Sequence, residues 1–403
     1  MTRVLLFSRL LKAYILILYH TAMNHRTNRL SKSAFKKVVI TGNGLLISGF
    51  VAAARGGAKV SVPESALKRS KAGRDFIDQA LQSGKTIYGT NTGFGSNVEF
   101  KIPADKLLEH QSRLVYSLSA GTPPFLNEEI TRGFLLARIN CFAKGYSGVR
   151  PEVIGLLVDF LNNDILPFIP RYGSIGASGD LVPSASLALA LMGEGSVQFR
   201  GKKISADSAL KKIKRKPLIF QPKEALAIVN NTSVMTSVAA LVAYDFEYLL
   251  DLIIRASALY VDVMGGITDP FQDLLQELKN HEGAREVAKQ LRSLLGNSKL
   301  AQPIKKSKKV QDYYSIRCLP QILGPHLELS ELLKVWVTNE LNSANDNPLI
   351  DWRNKKVLHG GNFSGFYIGL GMDITKILLA HLANLEQTMI DRVLDHEKNH
   401  VLP

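Results

Sequence analysis

The sequence predicts a mainly α-helical protein, a bundle of long helices with a smaller mixed domain on its N-terminal side. Three observations predict it. Val234 to Met264 is a largely apolar run of helical length that contains neither proline nor glycine, too broadly hydrophobic for a surface helix. Helical spacing resumes from Ile368 to Leu394, where Leu370, Ile374, Ile377, Leu378, Leu382 and Leu385 recur three or four apart. Strand-like apolar runs are short and broken by glycine, as between Val38 and Val62.

In a chain of 403 residues, a hydrophobic fraction of 46% supplies a large core and fits a folded globular protein. Cys141 and Cys318 are too few for a disulfide framework and lack metal-ligand spacing, so a reduced, cytoplasmic protein is expected. The net charge of +15 is concentrated in two places. Residues 1–63 hold ten Lys or Arg and no acid, and residues 201–217 hold seven against Asp207. Neither segment interleaves aromatics or carries a nucleic-acid motif, so solvated charge is expected, with no nucleic acid and no membrane as partner.

Taken in order, residues 1–36 read as a basic extension. Arg3, Arg9 and Lys12 interrupt its apolar start, leaving Ala13 to Tyr19, too short to cross a bilayer. Cleavage as a secretory signal lacks a convincing small-residue site, and translation from Met23 is the favoured explanation. Residues 37–230 form the first domain, with a strand or turn and a helix in Val38–Val62, then a helix over Ser65–Leu81. Ala104–Ala120 reads as another helix. Arg132–Leu161 reads as scaffold in which Arg132 and Arg138 are ion-pair partners. An apolar helix follows from Ser184 to Met192, entered through Asp180 and Pro183. Lys202–Pro217 is a surface excursion, and residues 231–403 are the helical bundle.

Within the first domain, the run RYGSIGASGDLVP, Arg171 to Pro183, carries the chemistry. Ala177, Ser178 and Gly179 lie among further glycines, which let backbone approach backbone. If the Gly179 nitrogen attacks the Ala177 carbonyl carbon, a five-membered ring closes. Loss of one water from the ring carbon and one from the Ser178 side chain leaves an exocyclic methylene, an electrophile no standard side chain offers. As a bare triplet, Ala-Ser-Gly is an ordinary turn. A second motif, YGTNTGFG from Tyr88 to Gly95, is a glycine-rich loop whose spacing differs from a dinucleotide fingerprint.

The whole run around Ser178 resembles the signature of the aromatic amino acid lyase family, which comprises histidine, phenylalanine and tyrosine ammonia-lyases and related aminomutases. The resemblance is dense from Tyr88 to Pro403 and looser over the preceding fifty or so residues. It implies the long-helix bundle of that family, and a 4-methylidene-imidazol-5-one formed autocatalytically from Ala177, Ser178 and Gly179, without metal or nucleotide. It also implies a homotetramer whose active sites draw on several subunits. Tyr88 falls on the position of the base that removes the substrate's β-proton. A phenol does this near neutral pH only where positive charge or hydrogen bonds stabilise its anion. Ser117 and Leu118 fall on the pair facing the substrate ring. The family's histidine lyases resemble Ser-His there, its phenylalanine lyases Phe-Leu and its tyrosine lyases His-Leu. The absent histidine disfavours histidine as substrate.

Asn230, in PKEALAIVNNTSVMT, matches the asparagine bordering the ring. Ala225 and Asn231 stand where the family has glycines. Asn231 is expected to adopt the left-handed conformation and to bring a side chain close to the ring. In VQDYYSIRCLPQILGP, Gln311, Tyr314 and Arg317 occupy functional positions, with Arg317 the bidentate clamp for the substrate carboxylate. Tyr314 is expected beside the ring, assisting proton transfer or departure of the amine. Asn347, in NSANDNPLID, resembles the asparagine that bonds the carboxylate or Tyr314, and Phe363, in HGGNFSG, the aromatic near the ring. The resemblance thus implies non-oxidative loss of ammonia from an aromatic L-amino acid, phenylalanine or tyrosine before histidine. An aminomutase would use the same residues. Family members continue past the position of Pro403, so a truncated, inactive subunit is the alternative of another class.

Overall fold

The computed structural model describes residues 36–307 and 309–399 and divides into two units. The basic extension read over residues 1–36 lies outside the described residues except for Lys36. The first unit runs to Ser237 and takes back Leu341–Ser364, and the second comprises Val238–Glu340 with the residues from Gly365 onward. The sequence reading ran the bundle unbroken from residue 231. The return of 341–364 has a local cause: Asn140 Nδ2 donates to Leu341 O at 2.8 Å, and Ile350 N to Tyr146 O at 2.7 Å.

In the first unit, β1 (Lys37–Val39) and β2 (Lys59–Ser61) pair in parallel around α1 (Ile47–Ala54). The helix α2 (Glu64–Gln82) buries Ala66, Ser70, Gly73, Ile77 and Ala80, spaced three or four apart as a single inward stripe requires. Next come α3 (Leu107–Leu118) and α4 (Glu128–Ala143). Asn127 caps α4 by accepting from Ile130 N at 3.0 Å, and Glu128 and Glu129 complement the helix dipole. Residues 133–143 of α4 are all buried, so this helix is the unit's central rod. Pro151 opens α5 (Pro151–Asn162), where its missing N–H costs nothing.

A three-stranded antiparallel sheet, β3 (Ile165–Pro167), β4 (Ser196–Phe199) and β5 (Lys202–Ser205), flanks α6 (Leu181–Leu191). The lysine-rich excursion is therefore β5 followed by α7 (Ala206–Lys212), tucked in through Ala206, Ala209 and Leu210. A short α8 (Glu224–Val229) leads into α9 (Ser233–Val263), which begins in the first unit. The hairpin β6 (Leu349–Asp351) and β7 (Lys356–Leu358) completes it.

Arg132 pairs with Asp164 as expected of scaffold. Among the described residues, Arg138 has no acidic partner. Fully buried, it donates to the neutral oxygens of Ser233 (3.1 Å) and Asn345 (2.7 Å) and stacks on Phe142.

The second unit holds the rest of α9, α10 (Asp273–Lys279), α11 (Glu282–Leu295), α12 (Tyr314–Arg317), α13 (Leu319–Leu341), α14 (Phe366–Leu394) and α15 (His396–Asn399). Its core joins Leu250, Ile254 and Val261 of α9 to Val287, Leu291, Leu323, Leu378 and Leu382. The other side of α14 leaves Phe366, Tyr367, Leu370, Ile377 and Ile390 exposed. Mainly helical architecture is thus what the two long periodic runs produce.

Candidate active site

The run around Ser178 forms a tight turn ahead of α6. Gly176 and Gly179 both have φ +73°, a conformation that side-chain-bearing residues rarely adopt. At Gly179 the constraint is also spatial, because a Cβ there would stand 2.2 Å from the carbonyl oxygen of Asn231. Two backbone segments cross at that point, and Asp180 N locks the crossing by donating to Asn231 O at 2.6 Å. Ser174 Oγ donates to Gly179 O at 2.7 Å, whereas Gly179 N reaches only Gly176 O, at 3.4 Å. Ala177 is exposed, Ser178 half-buried and Gly179 buried. This turn fits the ring implied by the sequence: the position that must supply an unhindered nitrogen tolerates only glycine, and that nitrogen is loosely held.

Asn230 directs its amide at the same turn. Nδ2 donates to Ser178 O at 2.9 Å and stands 3.2 Å from Ser178 Oγ. Asp180 works at a distance in sequence. Its Oδ2 accepts from Val234 N (2.9 Å) and Met235 N (3.0 Å), capping the first turn of α9 rather than α6. Two helix N-termini, those of α6 and α9, therefore meet at the turn.

Asn231 departs from the sequence expectation. It is absent from the left-handed residues and is completely buried. Its side chain turns into the scaffold, donating through Nδ2 to Ser184 Oγ (3.0 Å) and Ile228 O (2.7 Å) and accepting at Oδ1 from Ser233 N (2.6 Å). It does not line the cavity beside Ser178.

That cavity measures about 1210 Å³ and lies wholly within the first unit. It brings together Tyr88, Ser117, Leu118, Ser178, Asn230, Asn347 and Phe363. Leu114, Leu181 and Leu226 add apolar wall, and His110 and His359 add polar edges. The phenol oxygen of Tyr88 accepts from Gly95 N at 3.0 Å, so the glycine loop folds back on its own tyrosine. Ser117 donates its hydroxyl to Leu114 O at 2.9 Å. Asn347 Oδ1 accepts from Gly360 N at 2.8 Å, which ties the NDNP turn to the stretch that carries Phe363.

Gln311, Tyr314 and Arg317 belong to the second unit and are not among the residues lining this cavity. Gln311 and Arg317 edge a separate hollow with Asp312 and Gln321. Tyr314 is 70% exposed, with the Arg317 guanidinium carbon 4.6 Å from its ring centre, and Arg317 Nε is buried without a partner.

A profile of the family described as aromatic amino acid lyase matches residues 45–403. The chain belongs to the aromatic amino acid lyase family, a family of carbon–nitrogen lyases with related aminomutases. It is 36% identical over 366 residues to a histidine ammonia-lyase of Shouchella clausii, covering 91% of this chain and 73% of that protein. A second histidine ammonia-lyase, from Geobacillus kaustophilus, is 40% identical over 332 residues, covering 81% and 64%. Among solved structures, a phenylalanine aminomutase of Pantoea agglomerans superposes with TM-score 0.86 at 31% identity, over 92% of this chain and 74% of that one. The Trypanosoma cruzi histidine ammonia-lyase gives 0.82 at 31%, over 91% and 69%. Among the described residues, no three His, Cys, Asp or Glu are grouped to hold a metal.

Several residues at or behind the site were not singled out by sequence reasoning. Lys223 Nζ pairs with Asp346 Oδ2 at 2.6 Å, both side chains wholly buried, and Ser147 donates to the other carboxylate oxygen at 2.8 Å. Glu224, equally buried, binds Arg150. These pairs span 123 and 74 positions and leave no local signal. His110 did leave one: on α3 it stands four before Leu114 and seven before Ser117, the same helix face. Burial pushes its imidazole below the usual histidine range, the Thr92 carbonyl partly offsetting this.

Proposed function

We propose that this chain is an aromatic amino acid ammonia-lyase that removes ammonia from phenylalanine or tyrosine to give the α,β-unsaturated acid. The observation that carries the reading is the Ser178 turn, with glycine enforced at 179 and the Asn230 amide on Ser178 O, opening on a cavity that holds Tyr88. The methylidene-imidazolone formed there would supply an electrophilic carbon that makes the substrate amine a better leaving group. The chain's own residues do the rest. Asn230 holds the Ser178 carbonyl and withdraws electron density from it. The facing N-termini of α6 and α9 favour developing negative charge. Tyr88, fixed by Gly95, takes the β-proton at its phenol oxygen.

Leu114, Leu118, Leu226 and Phe363 give the cavity an apolar wall, and the Ser117 hydroxyl is engaged by its own helix. Such a wall supports a phenyl or phenol ring over an imidazole, whose nitrogens would need partners. A histidine substrate is the second reading, favoured by the histidine ammonia-lyases among the relatives. Structural likeness to a phenylalanine aminomutase keeps return of ammonia to the β-carbon as a product to look for. Tyr314 and Arg317 fit a site completed by another copy of the chain, in a homotetramer, with Arg317, stacked on Tyr314, receiving the carboxylate. A cytoplasmic setting belongs to the same reading, in keeping with two unbridged cysteines.

Intact-mass spectrometry tests the proposal: the folded chain should be lighter than its sequence mass by two waters. Phenylalanine or tyrosine should then yield an ultraviolet-absorbing acid. An unshifted mass refutes the reading, and turnover of histidine alone transfers it to the second substrate.

A further inference from the structure

We infer that His110 is a positioning residue for Tyr88, acting through the glycine loop, an inference that rests on the reading of Tyr88 as the proton acceptor. The imidazole lies flat against Phe94, with ring centres 4.4 Å apart and planes 8° from parallel. Its Nε2 is 3.0 Å from Thr92 O. A carbonyl can only accept, so Nε2 carries the proton and donates. Burial is the main cause holding the ring below the usual histidine range, so the neutral Nε2–H tautomer prevails at neutral pH.

These contacts grip the loop at Thr92 and at Phe94, three and one residues before Gly95, whose N–H binds the Tyr88 oxygen at 3.0 Å. Phe94 is the residue preceding Gly95. With its ring and the Thr92 carbonyl both held by one side chain of α3, the direction of the Gly95 N–H is set. Gln111, the next residue on α3, donates to Gly89 O at 3.2 Å and fixes the other end of the loop. Within the loop, Gly89 N donates to Thr92 Oγ1 at 3.0 Å. At Gly89 itself φ is +61°, and a Cβ would meet Leu226 at 2.4 Å and Phe94 at 3.0 Å, so the loop runs close against both side chains and only glycine fits there. The order of action is thus His110, then Phe94 and Thr92, then Gly95, then the phenol oxygen. No contact between His110 and substrate is required.

The test is a double-mutant cycle with loop exchange as a second readout. His110→Ala should lower kcat at least about tenfold with KM changed less than about threefold, as expected when a reacting group loses its alignment. His110→Phe keeps the stacking face but not the bond to Thr92 O, so it should recover only part of that loss. In a Tyr88→Phe background, His110→Ala should change the residual rate by less than about twofold, because the residue through which it acts is disabled. Hydrogen exchange on the folded full-length chain should be faster at Gly93 and Gly95, whose amides bond Phe100 O and the Tyr88 oxygen, in His110→Ala, and intermediate in His110→Phe. An equal loss of kcat in both backgrounds, or unchanged exchange in His110→Ala, overturns the inference. Failure of the ammonia-lyase reading looks different: wild type then shows neither the loss of two waters nor turnover, and the exchange result alone decides whether His110 holds the loop.

Discussion

Glycine in place of Asn231, the residue the family pattern would put there, should destabilise this chain. The side chain makes three hydrogen bonds, at 2.6, 2.7 and 3.0 Å, inside a region where Asn231, Ser184 and Ser233 are all wholly buried. Each such bond is worth a net of about 1 kcal/mol, and a buried partner left unmatched costs more. Glycine adds roughly 0.5–1 kcal/mol of backbone entropy and recovers nothing, since the position lacks positive φ. Allowing for reorientation of the Ser184 hydroxyl, Asn231→Gly should cost about 2–4 kcal/mol. Urea denaturation with an unchanged slope would report this as a lower midpoint. Asn231→Ala supplies the sharper comparison. It loses the same bonds but keeps the backbone restraint, so it should lie above the glycine variant by roughly 0.5–1 kcal/mol. A glycine variant more stable than the alanine variant would mean that position 231 is left-handed after all, and would refute the reasoning. Equal stability of Asn231→Gly and wild type would show that the three bonds carry nothing.

Two further perturbations probe buried groups outside the cavity. Lys223→Met leaves Asp346 charged and buried, and should cost about 3–5 kcal/mol, whereas Lys223→Met with Asp346→Leu should recover most of it. A thermal melt would read the single variant as a fall on the order of 10 °C, and a double variant no better than the single would contradict the pair account. Acidification should destabilise the fold partly through His326, whose imidazole burial holds below the ordinary value of 6.5 despite the carbonyls of Ile322 and Leu378 facing its nitrogens. Because its folded value is depressed, the unfolded chain binds the extra proton first, so stability is full above about 6.5 and falls as pH drops below it. His326→Gln should flatten that part of a melting-temperature profile measured between pH 8 and pH 5, and an unaltered slope would remove His326 from the explanation.

What was legible in the sequence was legible because its cause is local. Helix α9 follows from an apolar run without breakers. The Ser178 turn was legible through small residues in a row joined to the family resemblance, and Tyr88 through the resemblance of its glycine-rich loop. Arg138 was legible as scaffold but not in its partners, which are neutral oxygens of residues 95 and 207 positions away in sequence. Residues 341–364 read as part of the bundle because nothing in NSANDNPLID announces that Asn140 and Tyr146 will hold it to the first unit.

The same distinction explains the error at Asn231. Replacing a glycine beside a crowded ring, asparagine read as a residue that borrows glycine's conformation. That inference placed the constraint on the residue's own φ. In the structure the constraint falls on Gly179, whose missing Cβ makes room for the Asn231 carbonyl, while Asn231 contributes backbone to the crossing and side-chain bonds to the scaffold behind it. A crossing of two segments needs one glycine at the closest approach, and that position fixes which partner is free to vary. The crossing therefore requires glycine at 179 and permits asparagine at 231, which keeps the extra side chain out of the cavity where the chemistry is proposed.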